Sequence, residues 1–132
     1  MRDEDTDKLD PLVLLVEDEL GLSKLMVMIL EDEGYRVVEA ANGAQGLLKL
    51  KQEKPALIIT DYMMPELNGY EMVRTIRANH EFDDVPILMM SAALPQHLKV
   101  SDLVDHFLPK GTGLEMLVTT IRRLMERDDK PL

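Results

Sequence analysis

Leu12-Val13-Leu14-Leu15-Val16-Glu17-Asp18-Glu19 runs an unbroken apolar stretch straight into a block of acids. A helix packed on one face would interleave polar residues every third or fourth position. A half-exposed strand would alternate. A short continuous run does neither, and reads as a strand buried on both faces. Two further runs repeat the pattern: Ala56–Thr60 stops at Asp61, and Val85–Met90 stops at Ser91. Tyr35–Val38 and Asp105–Pro109 are shorter strand candidates. The segments between them carry helical spacing. Leu22, Leu25, Met26, Ile29 and Leu30 share one helical face, and Gly34 fits a C-terminal cap. Asn42 is placed to N-cap a helix over Gly43–Gln52, with Leu47, Leu48 and Leu50 inward and Pro55 beyond its end. Past the turn residues Pro65, Asn68 and Gly69, a helix to about Ala78 aligns Met72, Val73 and Ile76. A final helix over Gly111–Arg127 turns Leu114, Leu117, Val118, Ile121, Leu124 and Met125 inward. Strands that alternate with helices imply parallel pairing, right-handed crossovers and helices on both faces. The expected fold class is α/β, a five-stranded doubly wound parallel sheet.

Composition narrows the function. The 132 residues suit one domain, and 45% hydrophobic residues supply a core. The net charge of −10 would repel nucleic acid and an anionic membrane, so neither is expected as a direct partner. With no cysteine, disulfides, thiolate metal sites and cysteine nucleophiles are excluded. No apolar run approaches the ~18 residues of a membrane span, and the first ten residues have no signal-peptide core, so a cytoplasmic location is expected. Residues 1–10 read as a disordered acidic tail, 11–127 as the domain, and 128–132 as a frayed end.

In sheets of this kind ligands bind beyond the carboxyl ends of the strands. Those ends carry Glu17 and Asp18, Asp61, Ser91 and Lys110. Crowded carboxylates repel one another unless a cation sits among them. A hard divalent ion such as Mg2+ suits oxygen ligands of this type. One carboxylate could then attack a phosphoryl group, with Lys110 and the Ser91 hydroxyl serving the transferred oxygens. The histidines His80, His97 and His106 show no metal-ligand spacing, and the ten methionines read as core filler.

Four segments together resemble the signature of bacterial response-regulator receiver domains. They are Leu14-Leu15-Val16-Glu17-Asp18-Glu19, Asp61-Tyr62-Met63-Met64-Pro65-Glu66-Leu67-Asn68-Gly69, Ser91-Ala92 and Phe107-Leu108-Pro109-Lys110, spread over residues 12–125. The resemblance implies the flavodoxin-like strand order 2-1-3-4-5. It implies that Asp61 is the phosphoacceptor, that Asp18 and Asp61 hold Mg2+ with Glu17 acting through water, and that the Met63 backbone carbonyl adds a ligand. Ser91 would reach for the phosphoryl group, with Ala92 small enough to leave access. Lys110 would pair with Asp61 and then with the phosphoryl group, and Ser91 and Phe107 would form the switch.

Two departures from the family stand out. The family's lysine is usually followed by a proline in a cis bond, whereas Gly111 follows Lys110 here. A cis bond before a non-proline residue costs roughly 2.5–4 kcal/mol, so the bond should be trans, with glycine's freedom left to aim the lysine. Pro109 lacks an N–H, which suits an edge strand. The second departure is length. Few residues separate Ser91 from the last strand and Pro95 lies among them, so the family's fourth helix should be short or irregular. That would remodel the fourth-helix, fifth-strand, fifth-helix face used for outputs.

The expectation is a single-domain response regulator with Mg2+ as cofactor. It takes a phosphoryl group on Asp61 from a histidine kinase or phosphotransfer protein. It then signals to a downstream protein through that face, or acts as a relay or phosphate sink, with a homodimer as one option. It would not be an enzyme in the usual sense, but a phosphoacceptor that assists its own phosphorylation and dephosphorylation. The alternative is a phosphorylation-independent pseudo-receiver that binds protein. An aspartyl phosphatase is disfavoured because Met63 stands where such enzymes place a general acid, and no cap domain is visible. A flavodoxin-like cofactor binder is disfavoured because no phosphate-binding loop follows the first run.

Overall fold

The computed structural model describes residues 10–62, 68–92 and 103–129, with side chains described as far as residue 126. Five strands form one sheet: β1 (Leu12–Val16), β2 (Arg36–Ala40), β3 (Leu57–Asp61), β4 (Ile87–Ser91) and β5 (His106–Pro109). All pairings are parallel, in the order β2-β1-β3-β4-β5. The described helices are α1 (Leu20–Asp32), α2 (Gly43–Gln52), α3 (Gly69–Arg77) and α4 (Leu114–Asp129), with a 3-10 turn at His80–Phe82. This is the expected doubly wound sheet. The short helix expected before β5 falls on residues 93–102 and lies outside the described residues.

The unbroken apolar runs are explained by strand alternation, since both faces are covered. Leu14, Val16, Ile58, Ile87 and Met89 join the core beneath α2 and α3. Val13, Leu15, Leu57, Ile59, Leu88, Met90 and Leu108 join the core beneath α1 and α4. The same period carries Glu17, Asp61 and Lys110, each two residues beyond Leu15, Ile59 and Leu108, out of the α1/α4 core to the carboxyl edge. The strands therefore aim the polar residues at one place before any site chemistry is considered.

Helix ends follow local chemistry. Asn42 and Asn68 are N-caps whose side-chain oxygens accept hydrogen bonds from the backbone N–H of Gln45 and Glu71, both at 2.9 Å. Gly34 takes φ +94° just past α1, as the expected cap requires. Pro109 lies on edge strand β5, where its missing N–H breaks no ladder.

Three residues expected inside are exposed: Leu25, Leu48 and Leu114. In α1 the buried stripe is Ser23, Met26 and Leu30, so Leu25 sits about 100° off it. In α2 the stripe is Gly43, Gly46 and Leu50, and Leu48 falls outside it. Leu114 opens α4, whose buried stripe begins only at Leu117. Sheet packing thus uses a narrower stripe than the apolar count suggests. Val85 is buried as expected, yet it precedes β4. Its N–H donates to the Phe82 carbonyl at 3.1 Å, closing the 3-10 turn.

Candidate functional site

Register brings the strand ends level. Val16 lies opposite Thr60, Asp61 opposite Met90, and Ser91 opposite Pro109. The residues that follow β1, end β3 and follow β5 therefore meet at one edge. Glu17, Asp18 and Asp61 offer carboxylate oxygens that all lie within 4.8 Å of one another. Lys110 Nζ donates to Asp61 Oδ2 at 2.8 Å and reaches Glu17 Oε2 at 3.5 Å. Glu17 and Asp61 are buried, Asp18 is exposed, and Lys110 is half-buried.

Three carboxylates against one ammonium leave a formal charge of −2, the complement of a divalent ion. The donors are hard oxygens, one of them on an exposed residue that leaves room for water. They fit Mg2+ or a similar ion. Burial pushes the Glu17 carboxyl above its usual range, against the Glu19 backbone N–H (3.0 Å to Oε2) and the Lys110 charge, both of which favour ionisation; Asp61 adds to the rise. For Lys110, burial alone would lower the ammonium. The hydrogen bond to Asp61 and the charges of Glu17 and Asp61 outweigh it and hold the pKa above the usual lysine value.

Ser91 is buried at the end of β4, and its backbone carbonyl accepts from the Lys110 N–H at 2.8 Å. It stands at the expected edge beside Lys110, next to exposed Ala92. Phe107 is half-buried on β5 and packs against the α2/α3 core. Met63 lies outside the described residues. The lysine question is settled by geometry: no described peptide bond is cis, Gly111 takes φ +90°, and Lys110 still reaches Asp61.

Two contributors escaped the sequence reading. The sequence marks Gly69 as a turn residue and as the end of the segment that begins at Asp61, with no role at the site. Its N–H donates to the Tyr62 carbonyl at 2.9 Å, and a Cβ there would collide with the Asp61 backbone carbonyl. The start of α3 thus lies directly against the backbone of Asp61. An Asn N-cap followed by glycine, eight residues after a strand-end acid, was the available signal. Thr112 is the second. Its hydroxyl and N–H both donate to the Pro109 carbonyl, at 2.6 and 3.2 Å.

Fold and site together define a doubly wound α/β domain with a lysine-bridged carboxylate cluster at the carboxyl edge of its sheet. The family profile of the response regulator receiver domain matches residues 13–122, and the chain belongs to that family. Among curated proteins it is similar to hybrid signal transduction histidine kinase D of Dictyostelium discoideum, 36% identical over 118 residues, covering 87% of this chain and 8% of the kinase. The chain spans about half the length of other curated relatives, transcriptional regulators among them. Among solved structures, the signal receiver domain of a signal transduction histidine kinase from Syntrophus aciditrophicus aligns with TM-score 0.84 at 26% identity, covering 92% of this chain and 95% of that one. The response regulator protein TrrA from Thermotoga maritima, in complex with Mg2+-BeF, aligns with TM-score 0.78 at 27% identity, covering 86% of this chain and 98% of that one.

Proposed function

We propose that Asp61 is the phosphoacceptor of this receiver domain. The observation that carries the reading is the Lys110 ammonium 2.8 Å from Asp61 Oδ2 inside a carboxylate trio. An Asp61 oxygen would attack the phosphorus of the donor. The bond from phosphorus to the donor's leaving group then breaks, and an acyl phosphate forms on Asp61. Lys110 already sits where negative charge accumulates on the incoming group, so it needs little reorganisation. Ser91, at the same edge, is assigned the hydrogen bond to a phosphoryl oxygen. Glu17, Asp18 and Asp61 would hold Mg2+, with the Met63 carbonyl as the proposed further ligand. When bound, the ion supplies positive charge that offsets repulsion between the acids and the phosphoryl oxygens.

The proposed donor is a histidine kinase or a phosphotransfer protein. This is consistent with the hybrid histidine kinase among the relatives. The proposed location is the cytoplasm. The output is proposed to be contact with a downstream protein, directly or in a relay, across the face built on β5, α4 and the segment before β5. A homodimer through that face is one form it could take. Phe107 and Ser91 are the proposed switch residues, and the domain assists its own phosphorylation and dephosphorylation without being an enzyme in the usual sense.

Acetyl phosphate with Mg2+ or with EDTA, read by intact mass, tests the assignment. The expected result is one phosphoryl adduct that requires Mg2+ and is absent in Asp61→Asn. An adduct that persists in Asp61→Asn would overturn it by placing the acceptor elsewhere, and no adduct from either acetyl phosphate or a histidine-phosphorylated donor would overturn it in favour of the pseudo-receiver.

A further inference from the structure

The reach of Lys110 has to be explained, because the residue after it is glycine rather than the proline usual in this family. A lysine side chain has four rotatable carbon–carbon bonds, so its head is only as well placed as its backbone. Here the backbone is fixed by a four-residue turn, Pro109-Lys110-Gly111-Thr112. The Pro109 carbonyl accepts from the Thr112 N–H at 3.2 Å, the i to i+3 bond of a β-turn. Gly111, third in the turn, has φ +90°, the value that a type II turn demands and that side-chain-bearing residues avoid. Beyond its two chain neighbours, no residue comes within 4 Å of where a Gly111 Cβ would stand, so the glycine answers a backbone requirement and not a steric one. A second bond closes the turn: the Thr112 hydroxyl donates to the same Pro109 carbonyl at 2.6 Å. The other side is anchored by the Lys110 N–H on the Ser91 carbonyl at 2.8 Å. Lys110 is thus held between β4 and a doubly bonded turn, with its ammonium in the carboxylate cluster.

We infer that Thr112 is a positioning residue for phosphoryl transfer: with Gly111, it locks the turn that aims Lys110 at Asp61. The inference rests on Asp61 being the phosphoacceptor. Thr112 touches no reacting atom and acts only through the lysine.

The test exploits a split between two steps. Lys110 would serve the phosphoryl group, whereas the ion's proposed ligands are the carboxylates. Thr112→Val removes the hydroxyl bond and keeps the shape. Thr112→Ser keeps the bond, and Thr119→Val makes the same change at an exposed position on α4. Initial rates of phosphorylation by acetyl phosphate, Mg2+ dissociation constants and thermal midpoints are measured for each variant of the 132-residue chain. For Thr112→Val the expected result is a fall of about three- to tenfold in rate, the scale of one lost hydrogen bond, with Mg2+ affinity unchanged. Thr112→Ser and Thr119→Val should match the parent. Gly111→Ala should lower the rate in the same selective way, since it strains the same turn.

An unchanged rate in Thr112→Val would overturn the inference. So would equal losses in rate and Mg2+ affinity, which would make Thr112 merely structural, or failure of serine to preserve the rate. If the parent itself takes no phosphoryl group, the phosphoacceptor reading fails first, an outcome distinct from a phosphorylated parent with an indifferent Thr112→Val.

Discussion

Glu17 shows how one residue can be unfavourable for the fold and useful for the site. Its carboxyl is buried and its pKa lies above the usual range. The folded protein therefore holds that proton at pH values where the unfolded chain has released it. Its contribution to stability is fully present below the ordinary value of 4.5 and is lost as pH rises through the raised folded value. At neutral pH the ionised group is a cost. Glu17→Gln is accordingly expected to raise the thermal midpoint of the metal-free protein at pH 7, by a margin that shrinks as pH falls through the raised folded value towards 4.5 and is flat below it, and to weaken Mg2+ binding. Calorimetry across pH checks the first and a Mg2+ titration the second. Gly69 belongs to the same scale. A methyl group there meets main chain, which cannot rotate aside, so Gly69→Ala should lose about 1–3 kcal/mol of stability or more. Gly113→Ala, with open space around it, should change stability by less than about 0.5 kcal/mol. Urea unfolding of both variants decides.

At the scale of elements, Arg77 joins pieces that the sequence keeps far apart. From the end of α3 it donates to the Phe82 carbonyl at 2.8 Å, to the Leu103 carbonyl at 2.8 Å and to Asp105 Oδ1 at 3.0 Å. The same Asp105 oxygen accepts the Ile87 N–H at 2.8 Å where β4 begins. One guanidinium thus ties α3, the 3-10 turn and the entry to β5. Arg and Asp are both mostly buried, so removing the guanidinium takes three hydrogen bonds and the countercharge of Asp105 from this junction. Arg77→Met should reduce unfolding free energy by about 3–5 kcal/mol, whereas exposed Arg36→Met, which breaks a surface pair with Glu53, should cost less than about 1 kcal/mol. Chemical denaturation of the two variants tests the contrast. Helix starts were the most legible elements, because an Asn N-cap acts over three residues and needs no distant partner. Helix faces were less legible. Leu25, Leu48 and Leu114 satisfy the helical period yet stay in solvent, since the angle at which a helix meets the sheet decides how wide its buried stripe is.

For the whole molecule, ion binding at the proposed site would be linked to folding. Three carboxylates, two from the loop after β1 and one from the end of β3, come together only in the folded chain. A ligand that binds only the native state adds stability as its concentration exceeds its dissociation constant, about 2.7 kcal/mol at a hundredfold excess. The thermal midpoint should therefore rise with Mg2+ in the parent and stay nearly flat in Asp18→Asn, which a thermal-shift titration at constant ionic strength would show. Equal rises in both would remove Asp18 from the ligand set.

The alternation of apolar runs with helical spacing was enough to determine a parallel doubly wound sheet, because a strand buried on both faces and its crossover helix each leave a local pattern. The acids, serine and lysine at the strand ends were legible for the same reason: parallel strands bring all their carboxyl ends to one edge. Distances and burdens were not legible. Only the tertiary structure brought Lys110 within hydrogen-bonding distance of Asp61, laid Gly69 against the Asp61 carbonyl, and closed the Gly111–Thr112 turn. These facts depend on register, on how closely a helix approaches a loop, and on backbone angles. Such quantities come from packing between residues distant in sequence, and no local pattern of residue types encodes them.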